Sequence, residues 1–109
     1  MKLKNKDFKA IKVDADEAKN NYKGLLMQQV LTSPLKGMTM NDFIERKGLI
    51  DALNKCTDVI ELEKATWKLL KEIIEGVVWF QSPDGKAKIM FEEAGFNEMS
   101  EFLQEIKKI

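Results

Sequence analysis

The sequence contains no histidine, one cysteine and only two prolines among 109 residues. Without histidine, the Ser-His and Cys-His catalytic pairs and the commonest metal ligand are excluded. The single cysteine, Cys56, cannot form an internal disulfide, which favours a reducing compartment. The longest strongly apolar run, residues 77–80, is far too short to cross a membrane. We therefore expect a cytoplasmic protein.

Basic and acidic side chains are equal in number, 18 of each, so the formal net charge is zero. This balance argues against general nucleic-acid or membrane-surface binding, which usually needs a basic protein. Hydrophobic residues make up 44% of the chain, which is enough for a core. The length favours one domain over residues 1–109. We expect residues 1–7 to be a flexible basic tail, and no apolar segment follows them that would indicate a signal peptide.

Most of the chain shows helical spacing of its apolar residues, at steps of three and four. This spacing predicts a mainly α, compact domain of four to five helices. Two very short strands are expected near residues 8–13 and 59–62, where they could pair. The predicted helices begin near Asp14 or Asp16, after Thr39, near Glu63 and at Asn97.

The strongest local signal is the run from Met38 to Phe43. Thr39 is a suitable N-cap, and Asp42 stands three residues later, where a capping box has its acidic partner. Met38 and Phe43 fit the hydrophobic staple of such a helix. The pattern also assigns Phe43 to the buried stripe, together with Ile50 and Leu53.

Residues 77–94 are ambiguous. The first five look extended, and a hairpin through Ser82-Pro83-Asp84-Gly85 would make Lys86–Phe91 a strand. A helix beginning near Asp84 fits the same residues, and we favour it.

Aromatic residues near the predicted third helix are candidate interface residues. Trp67 falls beside the apolar stripe of that helix, and Trp79 and Phe80 follow its end. Core closure explains them simply, but tryptophan and phenylalanine are also enriched at protein interfaces. Methionines such as Met90 suit an adaptable contact surface. We take Trp67, Trp79, Phe80 and Met90 as interface candidates.

Charge is unevenly distributed. Residues 1–12 contain five lysines and one aspartate, and residues 92–105 contain five glutamates and no basic residue. Both stretches could be solvated surface. Alternatively, they could meet, either within one chain or between subunits. The candidate basic patch consists of Lys2, Lys4, Lys6 and Lys9.

The middle of the chain, residues 37–93, resembles small accessory proteins encoded in phage and prophage genomes. The resemblance rests on Gly37-Met38-Thr39, Asp42-Phe43 and Arg46, and on Ile60-Glu61-Leu62-Glu63 with Trp67 and Leu70. It implies a phage or prophage origin in a bacterial host, no assigned activity and no functional residue that can be carried over.

No motif for catalysis or for a cofactor is present. Gly85-Lys86 is followed by alanine, whereas a phosphate loop requires serine or threonine there. We therefore expect a non-enzymatic accessory protein, without cofactor or metal, that self-associates and binds a phage or host protein. A homodimer is the simplest assembly. The alternative is a homo-oligomeric binder that sequesters a nucleotide or another anion on its N-terminal lysines.

Overall fold

The computed structural model describes residues 2–11, 20–32, 34, 36–77 and 93–109. In this part of the chain four helices accompany one two-stranded antiparallel sheet, so the predicted mainly α fold with short strands is confirmed. The elements are β1 (Lys2–Lys4), α1 (Tyr22–Leu31), α2 (Met40–Asn54), β2 (Val59–Glu61), α3 (Lys64–Glu75) and α4 (Glu93–Lys107). None of the helices in these ranges is long and apolar enough to span a membrane.

The sheet corrects two predictions about the N-terminus. β2 lies where the sequence predicts it, but it pairs with β1 and not with residues 8–11, and residues 12–13 lie outside the described residues. Leu3 is paired with Ile60, and both side chains are buried. Side chains alternate between the two faces of a strand, so Leu3 is buried while Lys2 and Lys4 are exposed. Residues 1–7 are therefore not a free tail, because residues 2–4 form a strand.

The N-termini of the helices test the predicted N-cap residues. Thr39 is the N-cap of α2: its Oγ accepts a hydrogen bond from the Asp42 N–H at 3.1 Å, and the Asp42 carboxylate accepts one from the Thr39 N–H at 3.0 Å. Asn21 caps α1 by accepting from Gly24 N–H, whereas the expected caps Asp14 and Asp16 lie outside the described residues. The prediction that Asn97 caps the last helix is wrong, because α4 already begins at residue 93.

The core brings side chains from all four helices and both strands together. Trp67 is 2% exposed, so its assignment to an interface is wrong. It lies on the same face of α3 as Leu70 and Ile74, which are also buried. The largest fully buried side chains are Trp67, Phe102, Leu26, Leu49, Leu53, Ile60, Leu70 and Val30.

The two halves of α2 have different environments. In the second half Leu49 and Leu53 are fully buried. In the first half, residues 40–48, every residue except Arg46 is exposed. The first two turns of α2 therefore project beyond the core.

Candidate functional site

Three large apolar side chains are exposed on the projecting half of α2. Met40 is 78% exposed, Phe43 65% and Ile44 62%. Spacings of three and four residues place them on one side of the helix, and we call them the α2 face. Taking about 200 Å² as full exposure of such a residue, the α2 face presents roughly 400 Å². The largest apolar patch on a typical monomer has about this size and is often a functional surface.

Arg46 fixes the projecting half of α2 to the end of α1. Its Nη1 donates hydrogen bonds to the carbonyl oxygens of Gln29 (3.1 Å), Val30 (3.0 Å) and Thr32 (2.9 Å). The last carbonyls of a helix lack partners within the helix, and the guanidinium supplies donors there, although the Gln29 oxygen also accepts the Thr32 N–H. The α2 face is consequently held in place before any partner binds.

The capping box holds the same half of the helix at its other end. The Thr39 backbone N–H and hydroxyl keep the pKa of Asp42 below its usual value, so this carboxylate stays ionised at neutral pH. An ionised acid in the first turn also complements the positive end of the helix dipole. Residues at both ends of the α2 face are therefore fixed by specific hydrogen bonds.

The sequence pattern does not predict the α2 face. The pattern assigns Phe43 to the buried stripe with Ile50 and Leu53, but Phe43 points into solvent, so this prediction is wrong. Spacing along a helix shows which residues share a side but not how far the core extends beneath it. No signal in the sequence marks Phe43 and Ile44 as exposed, since adjacent apolar residues such as Leu25 and Leu26 in α1 are both buried.

The N-terminal segment, residues 5–11, is bound to α4. Lys6 Nζ lies 3.0 Å from Glu101 Oε1 and 2.9 Å from Glu105 Oε1. The Phe8 ring packs against Tyr22 and Phe102, with centroid distances of 5.3 and 6.0 Å. The basic and acidic stretches of the sequence thus meet within one chain, and these contacts do not need a second subunit.

Glu98 completes this attachment. Its carboxylate accepts hydrogen bonds from three consecutive backbone N–H groups, those of Lys9 (2.7 Å), Ala10 (2.7 Å) and Ile11 (3.0 Å). Burial acts to raise the pKa of Glu98, but the three donors outweigh it and hold the pKa below its usual value. The chain bends at residues 9–10. Glu98 therefore remains an acceptor for this bend at neutral pH.

The candidate basic patch is divided between two surfaces. Lys2 and Lys4 are exposed on β1, and Lys2 Nζ lies 4.0 Å from Glu61. Lys6 is engaged by α4, and the backbone N–H of Lys9 is bound by Glu98. The charge of Lys6 is therefore already balanced by two carboxylates of the same chain.

An open groove of about 880 Å³ lies between α1, α2 and α3. Leu69, Ile73 and Val77 supply its apolar lining, and Asp42 and Glu72 are among its charged residues. The described residues that line the groove include no cysteine or serine. The described ranges also hold no cluster of three His, Cys, Asp or Glu residues suited to a metal.

The remaining candidate residues are the single cysteine and three of the predicted interface residues. Cys56 is buried, and its Sγ lies 3.4 Å from the Ala52 carbonyl oxygen at the end of α2. Trp79, Phe80 and Met90 lie outside the described residues.

The chain matches no family model, no curated protein and no solved structure. The resemblance of residues 37–93 to phage accessory proteins therefore stays a prediction.

Proposed function

We propose that this protein is a small, non-enzymatic accessory protein that acts by self-association and by binding a phage or host protein in the bacterial cytoplasm. Its contact surface is the α2 face, formed by Met40, Phe43 and Ile44. The observation that carries the proposal is the exposure of these three residues on a helix end that Arg46 and the capping box hold in place.

The hydrophobic effect favours burial of the α2 face against a partner. Removing roughly 400 Å² of apolar area from water is worth roughly 10 kcal/mol before the costs of association are subtracted. A face that is already ordered loses little conformational entropy on binding, which lowers those costs. The surface is therefore suited to a partner whose own contact side is apolar.

The alternative, an oligomer that sequesters a nucleotide or another anion, receives less support. It depends on free lysines at the N-terminus, and Lys6 already contacts Glu101 and Glu105. An anion would have to displace two carboxylates to reach this ammonium group. We therefore favour protein binding.

Site-specific photo-crosslinking tests the proposal directly. A benzoylphenylalanine in place of Phe43, in the bacterium that encodes the protein, should give a covalent adduct to a polypeptide after irradiation. The matched control carries the same group in place of Lys68, which is exposed on α3. Absence of an adduct at position 43, or the same adducts at both positions, would overturn the proposal.

A further inference from the structure

We infer that the open groove between α1, α2 and α3 binds a basic amphipathic helix of another protein. The groove is separate from the α2 face. Its lining from α2 is Asp42, Glu45 and Arg46, which lie on the side of this helix opposite to the α2 face. The inference therefore does not depend on the α2 face, and it gives the protein a second surface for a partner.

The floor of the groove is apolar and follows α3. Leu69 and Ile73 are one turn apart on this helix, and Val77 lies one turn further, just after the helix ends. All three side chains are half-buried, so part of their apolar surface is open to water. At about 1.5 Å per residue, the stripe from Leu69 to Val77 is roughly 12 Å long. A partner helix can match it with apolar residues at steps of three and four.

Two walls of the groove each carry an acidic side chain. Glu45 lies on α2 and Glu72 lies on α3, and both residues are exposed. In the described part of the chain, neither carboxylate forms an ion pair. Lysines or arginines that flank the apolar stripe of a partner helix would supply the missing counter-charges.

The two described cations of the lining already act within the chain. Arg46 Nη1 donates to three carbonyl groups at the end of α1. Hydrogen bonds from Thr39 lower the pKa of Asp42, and the charges of Arg46 and Lys36 lower it further, so both cations lie near this carboxylate. An anionic partner would compete with these groups for the two cations. The charges of the groove therefore select a basic partner over an acidic one.

The shape of the groove selects a helix over an extended segment. The groove has a volume of about 880 Å³, and helices form its sides. The side-chain ridges of helices accept those of another helix, with the two axes about 8–10 Å apart. An extended segment would bring free backbone N–H and C=O groups into the groove. The backbone groups of α2 and α3 are bonded within each helix, so they offer no strand edge to such a segment.

Three synthetic peptides test this recognition with the full-length protein. The first, of about 15 residues, forms a helix with a stripe of leucines and with lysines at the other positions. The second has glutamate in place of every lysine, and the third has glutamine in place of every leucine. Fluorescence anisotropy at about 0.15 M salt should give a dissociation constant on the order of 1–100 µM for the first peptide. We expect the other two to bind at least about tenfold more weakly.

A matched pair of double variants tests the acidic walls. Glu45→Gln with Glu72→Gln should raise the dissociation constant of the lysine–leucine peptide about fivefold, because two ion pairs with the peptide are lost. Asp58→Asn with Glu61→Gln removes the same charge from exposed positions beyond the other end of α2, and it should change the constant less than about twofold. Three results would overturn the inference: no binding of this peptide, equal binding of all three peptides, or equal effects of the two double variants.

Photo-crosslinking from the peptide locates its binding site. The central leucine of the lysine–leucine peptide is replaced by benzoylphenylalanine, and the adducts are mapped by mass spectrometry. We expect adducts within residues 69–77, which contain the apolar floor of the groove. Adducts at Met40 or Ile44 without any in residues 69–77 would place the peptide on the α2 face. That result would overturn the inference about the groove and would leave the proposed function standing.

Discussion

Lys6 Nζ lies 2.9 Å from Glu105 Oε1, which joins the N-terminal segment to the last helix across 99 positions of sequence. Glu101 binds the same ammonium group at 3.0 Å. These two carboxylates raise the pKa of Lys6 well above its usual value, so the lysine stays charged at neutral pH. The contact also holds the Glu105 carboxylate beside Tyr22. The pKa of the Tyr22 hydroxyl can be measured directly.

Tyr22 is the only tyrosine, so alkaline titration at 295 nm reports on it alone. Burial raises the pKa of its hydroxyl, and the Glu105 carboxylate beside it raises the pKa further. A raised folded-state pKa contributes stability that is present below the unfolded value of 10.0 and is lost as pH rises. We expect little ionisation of the folded protein at pH 10, and ordinary titration in urea. Ordinary titration without urea would contradict the buried placement of Tyr22.

Glu98→Gln should destabilise the protein by about 1–2 kcal/mol, because three hydrogen bonds to a charged acceptor are weakened. The pKa of Glu98 is lowered on folding, so its contribution is present above the unfolded value of 4.5 and is lost as pH falls through the folded value. Urea denaturation at pH 7 and pH 3 measures both effects, and the variant should lose less stability on acidification. Glu75→Gln, at an exposed position on α3, is the control. Equal curves for the two variants would show that Glu98 does not hold the bend.

Arg46→Met keeps the aliphatic stem but removes the donors to the end of α1. Because three carbonyl groups lose the guanidinium as donor, we expect a loss of about 1–2 kcal/mol in urea denaturation. Amide exchange should accelerate at the end of α1 and in the first turns of α2. Lys68→Met, at an exposed position of α3, should stay within about 0.5 kcal/mol of the wild type. Unchanged exchange in Arg46→Met would mean that the guanidinium does not position the α2 face.

Thr39→Ala should lower the free energy of unfolding by about 0.5–2 kcal/mol through loss of the N-cap. Thermal denaturation followed by circular dichroism measures this change. Thr57→Ala provides a control at an exposed position outside the helices, and it should have a much smaller effect. If both variants melt alike, the hydroxyl of Thr39 contributes nothing to α2.

Trp67 should behave as a fully buried indole. In a Trp79→Phe variant, which leaves Trp67 as the only tryptophan, we expect emission at short wavelength and weak quenching by acrylamide. Trp67→Ala should cost about 3–5 kcal/mol, because it leaves a large cavity in the core. Strong quenching of the native single-tryptophan variant would contradict the core placement.

Local signals in the sequence determined much of the secondary structure. Helical spacing indicated α2 and α3, and the Thr39 and Asp42 pair gave the start of α2 because a cap depends only on residues three apart. β2 was likewise found at its predicted position. The partner of β2 was not found, since strand pairing joins distant residues and three-residue Lys2–Lys4 carries almost no pattern of its own.

Only the tertiary structure decided which side chains are buried and which segments are in contact. Trp67 is buried because it lies on the face of α3 that also buries Leu70 and Ile74. Phe43 is exposed because the core extends beneath the second half of α2 but not the first. The sequence by itself determined the opposite charges of the two ends of the chain. The fold decided that they meet within one molecule, because α4 carries Glu98, Glu101 and Glu105 along one side and the sheet fixes the N-terminal segment beside it.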